Sequence, residues 1–313
     1  MIKYHFEQLL VRIRSFSYKS KLYDNTVYTN SSNDISQYHN ICIYLDHPRL
    51  MHFGDQIFFK PLFEQLRLSN FPVKVKVSKQ LEFFFDHKRE LNPNLTKTLF
   101  VSSSRLLGYL KSKYGQNIKY FLYDTNSRGV SEPITNFIVN RFSDYFNLQD
   151  SLNAVSKNNF FVKNFRHKFD LLDKKENYII LNNYFNSGLF RVLPKDHKLL
   201  LDELEKEKSN CKVVHIGSDM DIARDRKKYS QYINIDLRGK TTIKDLYSIF
   251  SNYKIERVFT FDTFTLHLAN IFEIPVSLMF KRYFRRGEVI QKRIAFSSLY
   301  QKQSNNISLI DKV

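Results

Sequence analysis

Three segments of the chain place polar side chains between a predicted strand and a predicted helix, where they could do chemistry. In the first segment, Gly54 allows a tight turn after the strand, and Asp55 stands just before the helix. A carboxylate at this position could simply cap the helix. Taken alone, Asp55 favours the cap. Pro61 is tolerated in a helix only near its start, so it indicates where this helix begins.

The other two segments carry groups that suit an anion. In the second, Ser187 lies in an Asn-Ser-Gly turn and Arg191 precedes a helix. These groups suit a phosphate, although an ordinary strand-to-helix loop has the same pattern. In the third, a buried strand leads to Asp262 and Thr263, and the amides of the helix that follows suit a diphosphate. His267 lies one turn inside this helix, where a lone histidine is usually structural.

Strands and helices that alternate along the chain position these segments. The alternation predicts parallel sheets with right-handed crossovers, whose ligands bind beyond the carboxyl ends of the strands. A polar break near residues 150–170 predicts two Rossmann-like domains that face a cleft. The predicted strands are 41–46, 73–77, 98–101, 118–124, 178–183, 212–217, 232–237, 257–261 and 275–280. The predicted helices are Gln56–Leu68, Arg105–Tyr114, Ile134–Phe146, Lys195–Glu207, Thr242–Asn252 and Thr265–Phe272.

The charge of the chain narrows the choice of partner. There are 49 Lys and Arg residues against 31 Asp and Glu residues, which gives a net charge of +18. Such a surplus suits nucleic acid, an anionic membrane surface or a phosphorylated substrate. No apolar stretch reaches the roughly 18 residues of a membrane span. Arg12 and Arg14 interrupt the apolar core that a signal peptide needs, so we expect a cytoplasmic protein, and Cys42 and Cys211 predict buried free thiols.

The three segments, together with residues 215–221 and 235–252, resemble the ADP-heptose:lipopolysaccharide heptosyltransferases of glycosyltransferase family nine. The resemblance covers about residues 41–285, and the part within 236–280 is the specific one. The first pattern of the family is matched by Arg49, Gly54, Asp55, Pro61, Leu66 and Arg67. The later signature is matched by Asp236, Leu237, Gly239, Lys240, Thr241, Leu246, Asp262, Thr263, His267, Leu268, Ala269 and Pro275.

The resemblance implies the GT-B fold, in which two Rossmann-like α/β domains with parallel sheets face a central cleft. Residues 41–165 would form the acceptor domain, and residues 166–313 would form the nucleotide-sugar donor domain. Residues 1–40 would be a basic N-terminal extension that ends in a polar linker. A short basic helix around residues 9–13 could dock on the first domain or lie on a membrane surface.

The implied activity is an inverting, metal-independent transfer of a sugar from a nucleotide diphosphate, with no cofactor. The family default is heptose from ADP-heptose, moved onto the phosphorylated glycolipid of a lipopolysaccharide or lipooligosaccharide core. The expected location is the cytoplasmic side of the bacterial inner membrane, peripheral to its anionic surface. Another nucleotide-sugar donor, serving a capsule or surface polysaccharide, stays open.

The resemblance also assigns roles to residues. Asp55 would be the catalytic base that takes the proton from the acceptor hydroxyl. Asp221 falls near the acid that binds the ribose of the donor. The expected contacts to the donor phosphates are Ser187, Arg191, Thr263, Phe264, Thr265, Leu266 and His267. The supporting positions are Arg49, Gly54, Lys240 and Asp262.

The chain departs from the family pattern at two places. Phe264 stands where the family has the glycine that allows close backbone approach. Residues 281–293 carry six Lys and Arg residues against one Glu, which could grip acceptor phosphates or could be solvated surface. A degenerate, transferase-like protein that binds without catalysing would explain Phe264. Asp55, Arg191 and His267 are retained, however, and favour an enzyme.

Metal binding and nucleic-acid binding are the remaining alternatives. The sequence Asp219-Met220-Asp221 matches the metal-binding motif of the other glycosyltransferase fold. A second set, His47, His52 and Asp55, could converge on a zinc ion. No wider cluster of ligands supports either site, so we expect no metal. The charge and the aromatic content suit binding to nucleic acid. The charge is spread along the chain, however, and the sequence contains no recognisable RNA- or DNA-binding module. We therefore expect no nucleic-acid partner.

Overall fold

The chain forms two compact α/β units, Met1–Phe160 and Phe161–Val313. The described residues of each unit form one β-sheet with helices between its strands, as the alternating pattern predicts. The computed structural model describes residues 21–23, 27–47, 50–85, 97–123, 134–149, 165, 167, 169–182, 194–207, 210–224, 230–261, 263–279 and 307–309.

The first unit begins with two short strands and continues with alternating strands and helices. Its described strands are β1 (Lys21–Tyr23), β2 (Val27–Thr29), β3 (Asn40–Tyr44), β4 (Val73–Lys76), β5 (Thr98–Ser103) and β6 (Lys119–Tyr123). Its described helices are α1 (Phe53–Ile57), α2 (Lys60–Leu68), α3 (Glu82–Phe85), α4 (Leu107–Tyr114) and α5 (Ile134–Phe146).

The sheet of the first unit is wound in both directions from β3. The strand order is β1-β2-β6-β5-β3-β4, and β3 pairs parallel with both β4 and β5. The chain therefore moves from β3 to one side and returns to build β5 and β6 on the other. We call the place between β3 and β5, where the winding reverses, the first switch point. Ligands of such sheets bind beyond the carboxyl ends of the strands at a switch point.

Aromatic side chains fill the core between this sheet and α5. The ring of Phe121 in β6 lies 5.5 Å from that of Phe142, 5.1 Å from that of Tyr145 and 5.6 Å from that of Phe146, measured between centroids. Packed aromatic pairs of this kind add stability beyond the burial of their area. The many Phe and Tyr residues of the sequence thus serve packing in this unit.

The N-terminal segment contributes strands to the first sheet, which the sequence does not indicate. β2 pairs antiparallel with β6, and Val27 and Thr29 are buried. Asn30, at the start of the predicted polar linker, also contacts the sheet, because its side chain donates to Ile118 O and accepts from Tyr120 N. Three residues are too few to show the alternation of a strand. The predicted basic helix around residues 9–13 lies outside the described residues.

The second unit has an all-parallel sheet within its described residues. The strands are β7 (Asn177–Asn182), β8 (Lys212–His215), β9 (Ile235–Asp236), β10 (Lys254–Phe261), β11 (Val276–Met279) and β12 (Ile307–Leu309). The described helices are α6 (Pro194–Glu207), α7 (Asp219–Arg224), α8 (Ile243–Asn252) and α9 (Phe264–Ile271).

The sheet of the second unit repeats the winding of the first. The strand order is β12-β11-β10-β7-β8-β9, so β7 lies between β8 and β10. The winding reverses between β7 and β10, which we call the second switch point. Apolar side chains of β7, β8, β10 and α6 form the core: Ile179, Leu181, Leu200, Leu204, Val213, Phe259 and Phe261.

Most predicted elements are confirmed, and one helix differs. The predicted helix Ile134–Phe146 has the observed bounds, whereas the single predicted helix Gln56–Leu68 is two helices, α1 and α2. Pro61 lies in the first turn of α2, as a proline near a helix start requires. Both cysteines are free thiols, with Cys42 buried and Cys211 partly buried. Within the described residues, no helix combines the length and apolar character that crossing a membrane requires.

Candidate functional site

Two charged side chains meet at the first switch point. Asp55 comes from the segment that follows β3, and Arg105 comes directly after β5. Arg105 Nη1 lies 3.3 Å from Asp55 Oδ2. The strand order therefore brings the predicted base to the edge of the sheet where a ligand is expected, next to a cation that the sequence does not single out.

Asp55 lies inside a helix rather than before one. It is the third residue of α1, and its Oδ2 accepts a hydrogen bond from the backbone N–H of His52 at 3.3 Å. Gly54 lies in the same helix and is buried, so the predicted tight turn at Gly54 is wrong. The carboxylate thus takes part in capping α1, but as the third residue of the helix and not as the N-cap residue that the isolated pattern favours. About a fifth of its side chain is still exposed, at 20%, and a carboxylate has enough lone pairs for a further partner.

A buried glutamine fixes the position of α1. Gln56 Nε2 donates to Ser78 Oγ at 2.8 Å and to Met51 O at 3.3 Å. The backbone N–H of Ser78 donates to Gln56 Oε1 at 2.9 Å. These bonds join α1 to the segment after β4 and to the segment that precedes α1. Because Gln56 is the neighbour of Asp55, its bonds also hold the backbone that carries the carboxylate.

Aromatic rings and a lysine form a cluster between β3 and α4, the helix that follows Arg105. The ring of His47, just after β3, contacts the ring of Tyr109 with 4.7 Å between centroids. Lys113 Nζ donates to Tyr44 Oη at 3.0 Å and lies over the rings of Tyr44, Tyr109 and Tyr114. Partial burial acts to lower the pKa of Lys113, but the neighbouring tyrosines outweigh it and raise that pKa, so the ammonium stays charged at neutral pH.

Neutral polar groups meet at the second switch point. Asn182, the last residue of β7, donates from Nδ2 to Thr265 Oγ1 in α9 at 2.7 Å. Thr263 is the N-cap of α9, and its Oγ1 accepts from the backbone N–H of Thr265 at 3.3 Å. Thr260 Oγ1 lies 3.1 Å from Thr263 Oγ1 and links the cap to β10. The start of α9 is therefore held from both strands that flank the switch point.

The residues at the start of α9, which are predicted to bind the donor phosphates, differ in exposure. Thr263 and Phe264 are partly exposed, whereas the side chains of Thr265, Leu266 and His267 are buried. A ligand at this helix start would therefore contact the backbone, the Thr263 hydroxyl and Phe264. The buried side chains fix the helix against the sheet.

The predicted ribose contact, Asp221, lies in α7, just after the polar loop that follows β8. It is buried in the first turn of α7, and its Oδ2 accepts from Ser218 N at 2.6 Å and from Ser218 Oγ at 3.0 Å. Asp219 is exposed, so the two carboxylates of the Asp-Met-Asp sequence have different surroundings. Gly239 N donates to Gly217 O at 2.9 Å, which joins this loop to the turn after β9.

An ion pair stiffens the turn after β9. Arg238 is buried and donates to both carboxylate oxygens of Asp236, at 2.9 Å and 2.7 Å. Hydrogen bonds and the positive charge of Arg238 lower the pKa of Asp236. Burial, together with the charge of Arg238, lowers the pKa of His215 to about 3. Lys240 Nζ donates to Asp236 O at 2.9 Å, so its described contact is to this turn.

Four of the predicted site residues lie outside the described residues: Arg49, Ser187, Arg191 and Asp262. The basic cluster 281–293 lies outside them as well. Sequence reasoning missed Arg105 and Asn182. Asn182 lies at the carboxyl end of a predicted strand, and Arg105 begins the helix predicted after another strand. These positions were the available signal. Among the described residues, no three His, Cys, Asp or Glu side chains converge as a metal ion would require.

Comparison with known proteins bears on the fold. No protein-family model matches the sequence, and no curated protein matches it either. The chain is similar to the crystal structure of a glycosyl transferase family 9 protein from Veillonella parvula. The TM-score is 0.54 at 14% identity, over 88% of this chain and 87% of that one. The UDP complex of MnaA from S. aureus gives a TM-score of 0.43 at 11% identity, over 85% of this chain and 94% of that one.

The first of these likenesses establishes the class of fold. The chain is an α/β protein with the fold of the glycosyl transferase family 9 structure, which is the fold that the motif resemblance predicts. At this level of identity the likeness is one of fold.

Proposed function

We propose that this protein is a glycosyltransferase that moves a sugar from a nucleotide diphosphate onto a hydroxyl of an acceptor glycan. The observation that carries the proposal is the position of Asp55. Its partly exposed carboxylate lies at the first switch point of a chain whose fold matches a glycosyl transferase family 9 protein. A doubly wound sheet binds its ligand at that position, and a general base must reach the proton that it removes.

In the proposed reaction, Asp55 accepts the proton of the acceptor hydroxyl while the oxygen attacks the anomeric carbon of the donor sugar. The bond from this carbon to the diphosphate breaks, and the nucleoside diphosphate leaves with the electron pair. One step of this kind inverts the anomeric configuration. The ion pair with Arg105 orients the carboxylate, and the Gln56 bonds hold the backbone that carries it.

The second unit is the proposed donor site. The start of α9 directs the positive end of a helix dipole to the second switch point, where it would stabilise the departing diphosphate. Thr263 contributes a hydroxyl, Asp221 is the proposed ribose contact, and Ser187 and Arg191 are the proposed phosphate contacts. Asp262 and Lys240 complete the donor loop.

The proposed donor is ADP-heptose, and the proposed acceptor is a phosphorylated lipopolysaccharide or lipooligosaccharide core at the inner membrane. The motif resemblance within residues 236–280 supports this choice of donor. The net charge of +18 supports a phosphorylated acceptor and an anionic membrane surface. We propose that transfer needs neither a metal nor a cofactor, with Arg191 and the start of α9 offsetting the charge of the diphosphate.

Nucleotide binding tests this proposal. We expect ADP to raise the midpoint of thermal unfolding more than UDP, GDP or CDP, with and without magnesium. A ligand at about a hundred times its dissociation constant adds roughly 2.7 kcal/mol to the free energy of unfolding, which a melting curve resolves. A preference for UDP, GDP or CDP would replace the donor and keep the transferase.

A transfer assay with a radiolabelled sugar and a chelator completes the test. We expect turnover onto extracted lipooligosaccharide in the presence of EDTA. If no nucleotide raises the melting point and oligonucleotides bind in a salt-sensitive manner, the protein is a nucleic-acid-binding protein and the transferase proposal is wrong.

A further inference from the structure

We propose that a segment at the entry to the second unit is a pH-sensitive strap, which holds α8 more tightly when His167 is protonated. The strap consists of Phe165, His167 and Phe169. It comes shortly after Phe160, the last residue of the first unit, so its release adds length to the chain that connects the two units. The inference goes beyond the proposed function, because it uses none of the residues placed at either switch point.

Polar side chains of α8 hold the backbone of the strap. Ser251 Oγ accepts from the backbone N–H of Phe165 at 2.9 Å, and Asn252 Nδ2 donates to Phe165 O at 2.9 Å. Ser248 Oγ donates to His167 O at 2.6 Å. Hydroxyl and amide groups do not titrate near neutral pH. These three bonds therefore dock the strap at any pH and provide the background on which a titrating contact can act.

Aromatic rings pack the two ends of the strap. The ring of Phe165 meets that of Tyr247 edge-on, with 5.1 Å between centroids, and Lys244 Nζ lies 5.9 Å from the centroid of the Phe165 ring. At the other end, Phe169 is buried and its carbonyl accepts a hydrogen bond from Tyr253 Oη. Tyr253 is the C-cap residue of α8. The strap is thus attached to one helix along its whole length.

One carboxylate joins the strap to the start of α8. His167 Nε2 lies 2.6 Å from Asp245 Oδ1. The other oxygen of Asp245 accepts from the backbone N–H of Thr242 at 2.8 Å and from Thr242 Oγ1 at 2.7 Å. The side chains of His167 and Asp245 are 28% and 19% exposed, so solvent can exchange protons with the imidazole.

The charge of this contact depends on His167 alone. Burial acts to raise the pKa of Asp245, but the hydrogen bonds from Thr242 and the contact with His167 outweigh it and lower that pKa. The carboxylate is therefore charged throughout the range in which a histidine titrates, around pH 6.5. A charge-assisted hydrogen bond is about twice as strong as a neutral one. The contact should thus be strongest at acidic pH and weaken as the pH rises through this range.

The other titratable groups described beside the strap do not reproduce this effect. The charged ones are Lys244 and Asp170, and lysine and aspartate titrate far from neutral pH. Burial raises the pKa of Tyr247 and of Tyr253, so both phenols stay neutral. Burial lowers the pKa of His215, elsewhere in the unit, to about 3, which gives global stability the opposite pH dependence. The measurement must therefore follow the strap and not the unfolding of the whole chain.

Amide hydrogen exchange of the full chain measures local opening of the strap. Peptides that span residues 165–169 are compared at about pH 5.5 and about pH 8, with rates corrected for the intrinsic effect of pH on exchange. We expect protection to be about fivefold greater at the lower pH. His167→Gln keeps a hydrogen-bond donor without the charge and should show equal protection at the two pH values. Asp245→Asn should lose the difference as well.

Matched variants separate the charge from the docking. Ser248→Ala removes a neutral bond to the strap, so protection should fall by the same factor at both pH values and the fivefold difference should remain. His39→Gln changes an exposed histidine of the first unit and should leave the strap as it is in the unchanged protein. Peptides from β7 provide the internal reference. If Asp245→Asn fails to fold, because Asp245 also caps α8, His167→Gln decides the question.

Three results would overturn the strap. It is wrong if the unchanged protein is equally protected at both pH values, or if the fivefold difference persists in His167→Gln. It is also wrong if peptides from β7 show the same difference, because pH would then act on the whole unit. None of these variants alters a residue proposed to act in sugar transfer. Failure of the strap would therefore leave the proposed function standing, and the nucleotide titrations test that function separately.

Discussion

The two switch points share a topology and differ in the groups that they present. At the first, Asp55 and Arg105 form a partly exposed ion pair, and the helix that follows Arg105 carries Tyr109 and Lys113. At the second, Asn182 and Thr265 form a neutral hydrogen bond at 2.7 Å that holds the start of a helix.

This difference shows how one topology can serve two tasks. A partly exposed carboxylate can take up a proton, so the first switch point has a group for acid–base chemistry. The carboxyl edge of the second sheet presents the start of a helix and loops that contain glycine. Backbone N–H groups at such places suit the binding of an anionic ligand. Changes of side chain at the first switch point should therefore alter turnover. Changes of backbone at the carboxyl edge of the second sheet should alter ligand binding.

The largest expected effect comes from Asp55→Asn. The amide keeps an oxygen that can accept from His52, so the fold should persist, but it cannot act as a base. We expect turnover to fall roughly a thousandfold, within the range of general-base catalysis, with nucleotide binding unchanged. Single-turnover kinetics and a nucleotide titration measure the two effects. Asp144→Asn, an exposed change in α5, is the control. Unchanged turnover in Asp55→Asn would remove Asp55 from the mechanism.

Gly239→Ala tests the backbone of the turn after β9, at the carboxyl edge of the second sheet. Gly239 has φ +66°, and an added Cβ would displace the exposed side chain of Asp219 by meeting its Oδ1. Left-handed strain should cost roughly 1–2 kcal/mol, and the displaced loop should weaken nucleotide binding. Gly115→Ala is the matched control, because Gly115 has φ +97° but its Cβ would meet nothing within 4 Å. Chemical denaturation compares the two. Equal losses of stability would show that the contact with Asp219 is unimportant.

The pH dependence of stability tests the buried network of the second unit. The pKa of His215 is about 3 in the folded chain against 6.5 as its ordinary value, so only the unfolded chain takes up this proton between those values. Stability should therefore be complete above pH 6.5 and fall on acidification, by about 2 kcal/mol at pH 5. Denaturation curves of His215→Gln should show a flatter dependence, while His39→Gln, at an exposed histidine, should keep the slope. An unchanged slope in His215→Gln would contradict the assignment.

The smallest expected effect separates capping from binding. Thr263 caps α9 and Thr242 caps α8, each through its hydroxyl. Thr263→Val and Thr242→Val should each lower the free energy of unfolding by about 1 kcal/mol. Only Thr263→Val should also weaken nucleotide binding, because only α9 starts at the switch point. Equal nucleotide affinity in the two variants would show that the Thr263 hydroxyl serves the helix alone.

The sequence predicted the elements well because their signals are local. The helix Ile134–Phe146 and the strands β3 to β8 follow from apolar spacing and from the turns between them. It did not predict β2, whose three residues carry no period, or the break between α1 and α2 at Phe58 and Phe59. The sequence singled out Asp55 and favoured a helix cap. It did not show that Asp55 lies inside α1, because that place depends on where the helix begins.

The sequence by itself determined the alternation of elements, the two series and the polar residues at the strand ends. These features depend on neighbours a few residues apart. Only the tertiary structure decided that β3 lies beside β5 and that β7 lies beside β10, since strand order depends on packing between distant segments. That order brings Arg105 to Asp55 across 50 residues of chain and Asn182 to Thr265 across 83. No local pattern contains such a pairing, because it arises from the burial of whole sheets.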